Sequence, residues 1–160
     1  MASAARLSSM IVLVFTLVAC APAVEEPDPG SRHAELARSG YEAFAAGDMD
    51  AVYALMDPES VWYEMETLPY GGIYHGPDAV FENVFTRLGE EWEPYSATPI
   101  EFIAEGDRVA VRGEYRGTHR ETGGQLVAPF AHFWRFENEL LVEFHQITDT
   151  GLWQVAMAAE

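Results

Sequence analysis

The pattern that most constrains the fold lies in residues 97–148, where four stretches alternate apolar and polar side chains and are parted by turn residues. Residues 97–104 (ATPIEFIA) make the first strand and Gly106-Asp107 a turn. Residues 108–117 (RVAVRGEYRG) make the second, before a hairpin turn at Gly123-Gly124. Residues 126–136 (LVAPFAHFWRF) make a long third strand, Asn138 a turn, and residues 140–148 (LLVEFHQIT) the last. Strands this close in sequence pair antiparallel. What precedes them is helical. Ala34, Leu36, Ala37, Tyr41, Phe44 and Ala45 recur at helical spacing behind Ser31 as N-cap, and Gly47 ends the run. Asp48 caps a second helix over 49–56, which Asp57-Pro58 stops. A short strand over 61–65 and a loop over 68–74 come next. Gly76-Pro77-Asp78 opens a third helix with Val80, Phe81, Val84, Phe85 and Leu88 inward. Residues 149–157 read as a short terminal helix with Asp149 in capping position. Helices followed by a run of strands predict an α+β domain.

The N-terminus reads as an address. Arg6 is the only charge in the first 24 residues, and the apolar run Ile11–Ala19 leads into Cys20, the single cysteine. That run is too short for a membrane-spanning helix, which takes about 20 apolar residues, but suits a signal peptide. Leu17-Val18-Ala19-Cys20 resembles a bacterial lipoprotein signal, which implies lipidation of Cys20 and cleavage before it. The alternative is a secretory peptide cut near Ala19, Ala21 or Ala23. Ala21, in place of Asp, implies sorting to the outer membrane. The chain thus divides into a signal peptide (1–19), a lipidated Cys with a flexible Pro-rich acidic tether (20–30), and one folded domain (31–160). The expected location is the cell envelope or outside it, with membrane contact only through the lipid anchor.

Nine Arg and no Lys face 26 Asp+Glu, a net charge of −17. A surface this acidic repels phosphate backbones, so no nucleic-acid partner is expected. Arg112, Arg116 and Arg120 fall on the outer face of the sheet, paired with surplus acids. No cluster has metal-ligand spacing, and no phosphate loop or nucleophile elbow is present, so no metal and no cofactor is expected.

Five motifs stand in a fixed order: FAAGDMDAV (44–52), GIYHGPDAV (72–80), EGDRVAV (105–111), AHFWRF (131–136), and Glu143 through Asp149-Thr150. Over about residues 33–155 the chain resembles the SnoaL-like and ketosteroid-isomerase-like group of the nuclear-transport-factor-like superfamily. The resemblance implies a cone of about three helices packed on a curved, mostly antiparallel sheet. It also implies a homodimer and a pocket that takes a small apolar molecule. Members include isomerases, cyclases, hydrolases, dehydratases and proteins that only bind or dimerise.

Candidate site residues follow from residue chemistry and from this resemblance. Glu64 shares a strand face with Trp62 and matches the position of the isomerase carboxylate base. Beside an indole its pKa would rise, which suits a base; the alternative is a solvent-facing edge Glu. His132 shares a face with Phe130, Trp134 and Phe136, and is either a satisfied core histidine or a pocket acid or oxyanion donor. Tyr41 falls one residue from the position of the isomerase tyrosine. His145 and Asp149, on the face of Glu143 and Ile147, are further catalytic candidates: Asp149 is the alternative base, orients His145 or caps the terminal helix, and the alternative for His145 is the solvent face of the strand. Trp62, Tyr74, Phe81, Phe85, Phe130 and Trp134 line a pocket or fill the core. His75 and His119 lie in exposed surroundings. Two functions stand open: an acid/base pocket acting on a carbonyl-type molecule, or a non-catalytic envelope-anchored binding or dimerisation module.

Overall fold

The computed structural model describes residues 29–158. The expected signal peptide, Cys20 and most of the expected tether lie outside the described residues. Helix α1 (Pro29–Ala46) begins two residues before Ser31, inside the stretch read as tether, because Pro suits a first helical turn. It ends at Gly47, whose φ of +72° is the left-handed turn that favours glycine. Asp48 caps α2 (Met49–Leu55) by accepting from the Ala51 N–H at 3.1 Å.

The next element differs from expectation. Strand β1 (Met56–Glu64) starts where the second helix was to finish, and it absorbs Asp57-Pro58. Met56 is taken by pairing with Leu141 of the last strand, and the register shifts between Met56 and Val61 around the proline. Tertiary pairing outweighs the local helical pattern here. The tail of the expected loop is strand β2 (Gly72–His75), antiparallel to β1. A helical segment then runs as α3 (Gly76–Val80), a π-helical turn (Phe81–Phe85) and α4 (Thr86–Glu91). Strands β3 (Trp92–Glu105), β4 (Arg108–His119), β5 (Gln125–Glu137) and β6 (Leu140–Thr148) follow, and α5 (Thr150–Met157) closes the chain. Asn138 and Glu139, at φ +48° and +65°, form the two-residue turn between β5 and β6.

Helices pack on one six-stranded sheet in the order β2-β1-β6-β5-β4-β3, antiparallel except for β1 against β6. The architecture is α+β, as the element order predicts. Alternation fixes the faces. Val109, Val111 and Tyr115 of β4, and Phe130, His132, Trp134 and Phe136 of β5, point to the core. Phe144 and Gln146 of β6 do the same, and so do Trp62 and Glu64 of β1. Arg112, Arg116 and Arg120 lie outside, paired with Glu101, Glu114 and Glu93. Gly40 of α1 lets the helix approach the sheet: a Cβ there would stand 2.9 Å from Leu55 and 3.3 Å from Trp134. Among the described residues no helix is long and apolar enough to cross a membrane.

Candidate active site

Between α1, α2, the 76–91 helical segment and the inner sheet face lies a cavity of about 70 Å³. That is several times the ~10–15 Å³ one water requires. Aromatic and aliphatic side chains make most of its wall, among them Phe44, Trp62, Phe85, Trp134 and Phe144. The polar side chains in the wall are Glu64, Tyr41, Tyr95, Tyr115, His132, Gln146 and the indoles.

Glu64 ends β1 on the inward face and is 6% exposed. The Trp62 indole N–H donates to its Oε1 at 2.7 Å, and Oε2 is buried without a hydrogen-bond partner. Trp62 is itself held flat on Phe144, with ring centroids 3.6 Å apart. Burial pushes the Glu64 carboxyl up to about 8, and the Trp62 hydrogen bond pulls it back only in part. The acid form of Glu64 therefore predominates at neutral pH. A second cleft of about 420 Å³, lined by Tyr63, Thr67 and His145, also touches Glu64 and Gln146.

His132 sits across the sheet on β5, between two tyrosines. Its Nδ1 lies 2.6 Å from the Tyr41 hydroxyl and its Nε2 2.5 Å from the Tyr115 hydroxyl. Phe130 stacks on the ring, with centroids 4.0 Å apart. Burial pushes the imidazole down to about 3, so it is neutral. Burial likewise pushes the Tyr41 and Tyr115 hydroxyls well above their ordinary range, so both remain phenols. The Gln146 side-chain N–H donates to the Tyr115 oxygen at 3.1 Å, and its Oε1 accepts from the Met65 backbone N–H at 3.5 Å. The row Tyr41–His132–Tyr115–Gln146 thus ties α1 to three neighbouring strands and ends one residue beyond Glu64.

The structure brings Glu64, His132, Trp62, Phe85 and Trp134 to this cavity. It does not bring the others there. Phe130 backs His132 from within the core. Phe81 packs on Phe85 and Tyr53, and the Tyr74 hydroxyl donates to the Tyr70 carbonyl at 2.7 Å. His145 lies on the outer sheet face, stacked on Tyr63 and 3.0 Å from Glu143. Asp149 is the N-cap of α5, accepting from the Gly151 and Leu152 N–H groups. Nor does His132 itself offer an N–H to the cavity, because both ring nitrogens are engaged by tyrosines. Tyr115 and Gln146 went unrecognised as site residues. Inward alternation along β4 marks Tyr115, and an amide beside Phe144 on the face opposite His145 marks Gln146.

The SnoaL-like domain family matches residues 37–144. The chain belongs to this family. Two solved relatives are more than 30% identical to the SnoaL-like domain. An NTF2-like protein of Burkholderia thailandensis is 36% identical over 79% of this chain and 97% of its own, with a TM-score of 0.76. An NTF2-like protein of unknown function from Burkholderia pseudomallei is 31% identical over 79% and 98%, with a TM-score of 0.71. A putative polyketide cyclase of Xanthomonas campestris shares the fold at 20% identity over 82% and 100%, with a TM-score of 0.70. No curated protein matches the chain.

Proposed function

We propose that the SnoaL-like domain binds a small, mostly apolar carbonyl or enol compound in the inner cavity and moves a proton on it. Glu64 is the base: its carboxylate takes a proton from the carbon beside the carbonyl, and the electron pair passes to the carbonyl oxygen. A phenolic O–H from the Tyr41–His132–Tyr115 row holds the oxyanion that develops. Return of the proton to a second carbon gives an isomerase; loss of a leaving group or attack on a second carbonyl gives a dehydratase or cyclase. The observation that carries this reading is that Glu64, whose buried Oε2 has no hydrogen-bond partner, lines the same cavity as Tyr41 and Tyr115. An unpaired buried polar atom costs about 1–3 kcal/mol, a cost a bound molecule would offset. The fold shared with a putative polyketide cyclase is compatible with this chemistry.

The test is α-deuterium wash-in from D2O, followed by NMR over a panel of small cyclic ketones and enones. The wild type accelerates exchange on at least one, and Glu64→Gln does not. Binding by thermal shift without exchange on any compound points to the second reading, a non-catalytic binding or dimerisation module.

One observation favours that second reading. On the outer sheet face Ile73, Tyr63, His145, Phe133, Ala110 and Ile103 are successive cross-strand partners, one from each strand. Ile73, Phe133 and Ile103 are 55%, 45% and 64% exposed. Such a row suits pairing with a second copy, and the arginine–glutamate pairs beside it suit a polar rim.

Arg6, the apolar run and the single Cys20 support a lipid-anchored envelope protein. Labelled palmitate incorporated into the wild type and not into Cys20→Ala is the expected result; a cut elsewhere with no label supports plain secretion.

A further inference from the structure

We infer that Gln146 sets the direction of the hydrogen-bond row, through Tyr115 and His132, so that Tyr41 is the hydroxyl presented to a bound molecule. Neutral His132 carries one N–H, and the two phenols carry one O–H each. The two contacts of His132, to Tyr41 and to Tyr115, use two of these three protons. Where the third goes depends on the Gln146 amide.

The Met65 backbone N–H decides how that amide lies. It faces Oε1 at 3.5 Å; the flipped amide would set N–H against N–H. Nε2 is therefore the end that meets Tyr115. Tyr115 accepts from Gln146 at 3.1 Å, whereas the Trp134 indole N–H beside Tyr41 reaches no acceptor with hydrogen-bond geometry; Tyr115 is therefore the stronger donor, and it donates to His132 Nε2. His132 then carries its proton on Nδ1 and donates to Tyr41. The Tyr41 O–H has no partner among the described residues, and Tyr41 lines the cavity. With the amide reversed, the row would run the other way. Tyr41 would donate to His132, His132 to Tyr115, and Tyr115 to Oε1, and no proton would remain for a ligand. Gln146 is thus a positioning residue, and Met65, next to Glu64, links the strand end carrying the carboxyl to the polarity of the donor row.

This inference rests on the proposed reading of the cavity for its purpose, but its test needs no ligand. In ¹⁵N-labelled full chain, long-range ¹H–¹⁵N spectra of His132 should show Nδ1 as the protonated, pyrrole-type nitrogen and Nε2 as the bare, pyridine-type one. Gln146→Glu replaces the donor by an acceptor and should exchange the two assignments. Tyr115→Phe should abolish the effect of Gln146→Glu on the ring. A wild type with the proton on Nε2 overturns the inference even if the Gln146 variant does not fold, and so does a folded Gln146→Glu variant with an unchanged tautomer. Absence of any α-exchange activity together with the Nδ1–H tautomer would instead reject the proposed reaction and leave the inference standing.

Discussion

Trp62 and Glu64, two residues apart on β1, form one unit: the indole holds one carboxyl oxygen at 2.7 Å and leaves the other buried without a partner. The period-2 geometry of a strand places them side by side. The stack on Phe144 fixes the indole. A carboxyl with one neutral donor and no cation near it keeps its proton to high pH.

Glu64 and His132 make stability depend on pH in opposite senses. The folded-state pKa of Glu64 is raised from 4.5 to about 8, so its contribution falls as pH rises across that window. That of His132 is lowered from 6.5 to about 3, so its contribution grows as pH rises from 3 to 6.5. The two cancel between about 4.5 and 6.5, and above that Glu64 acts alone. Stability should therefore drop by about 2 kcal/mol between pH 6.5 and 8.5, at ~1.4 kcal/mol per pKa unit. Urea melts of the wild type should show the drop and those of Glu64→Gln should not.

Replacing His132 by Leu removes the shared partner of two buried hydroxyls. Each stranded group costs about 1–3 kcal/mol, so a loss of roughly 2–6 kcal/mol is expected by chemical denaturation. Loss of less than about 1 kcal/mol would mean that the row is not intact in solution.

Asp149→Ala should cost about 1 kcal/mol, the worth of an N-cap, and leave the cavity unchanged. The readout is a ligand-binding constant or exchange rate equal to wild type alongside a lowered melting temperature. A selective loss of binding would place Asp149 in the site instead.

If the outer face pairs two copies, Phe133→Glu puts a charge in the middle of the apolar row. Sedimentation should then show a dimer for the wild type and a monomer for the variant, with the fold unchanged by circular dichroism.

The sequence made the fold legible wherever local patterning and tertiary packing agree. The four-strand run, the Gly47 stop and the Asp149 cap need only alternation and capping chemistry. Met56–Pro58 misled, because the partner that draws Met56 into a strand is Leu141, far along the chain. Strand β2 was hidden for the same reason: Gly72–His75 is too short and glycine-rich to announce itself without β1 beside it. In the site, Glu64 and His132 were visible as polar groups in apolar strands. Their partners were not, since Tyr41 meets His132 across 91 residues. The register shift between Arg135 and Phe136 helps set which residues of β6 face inward, and it puts Gln146 inside and His145 out.

The most direct test of the account is the titration of Glu64 itself, by ¹³C NMR of its side-chain carboxyl between pH 3 and 10. A midpoint near 8 that rises further in Trp62→Phe is the predicted result. A midpoint at the ordinary carboxylate value, indifferent to Trp62, would contradict a buried and half-unpartnered acid and with it the acid/base cavity.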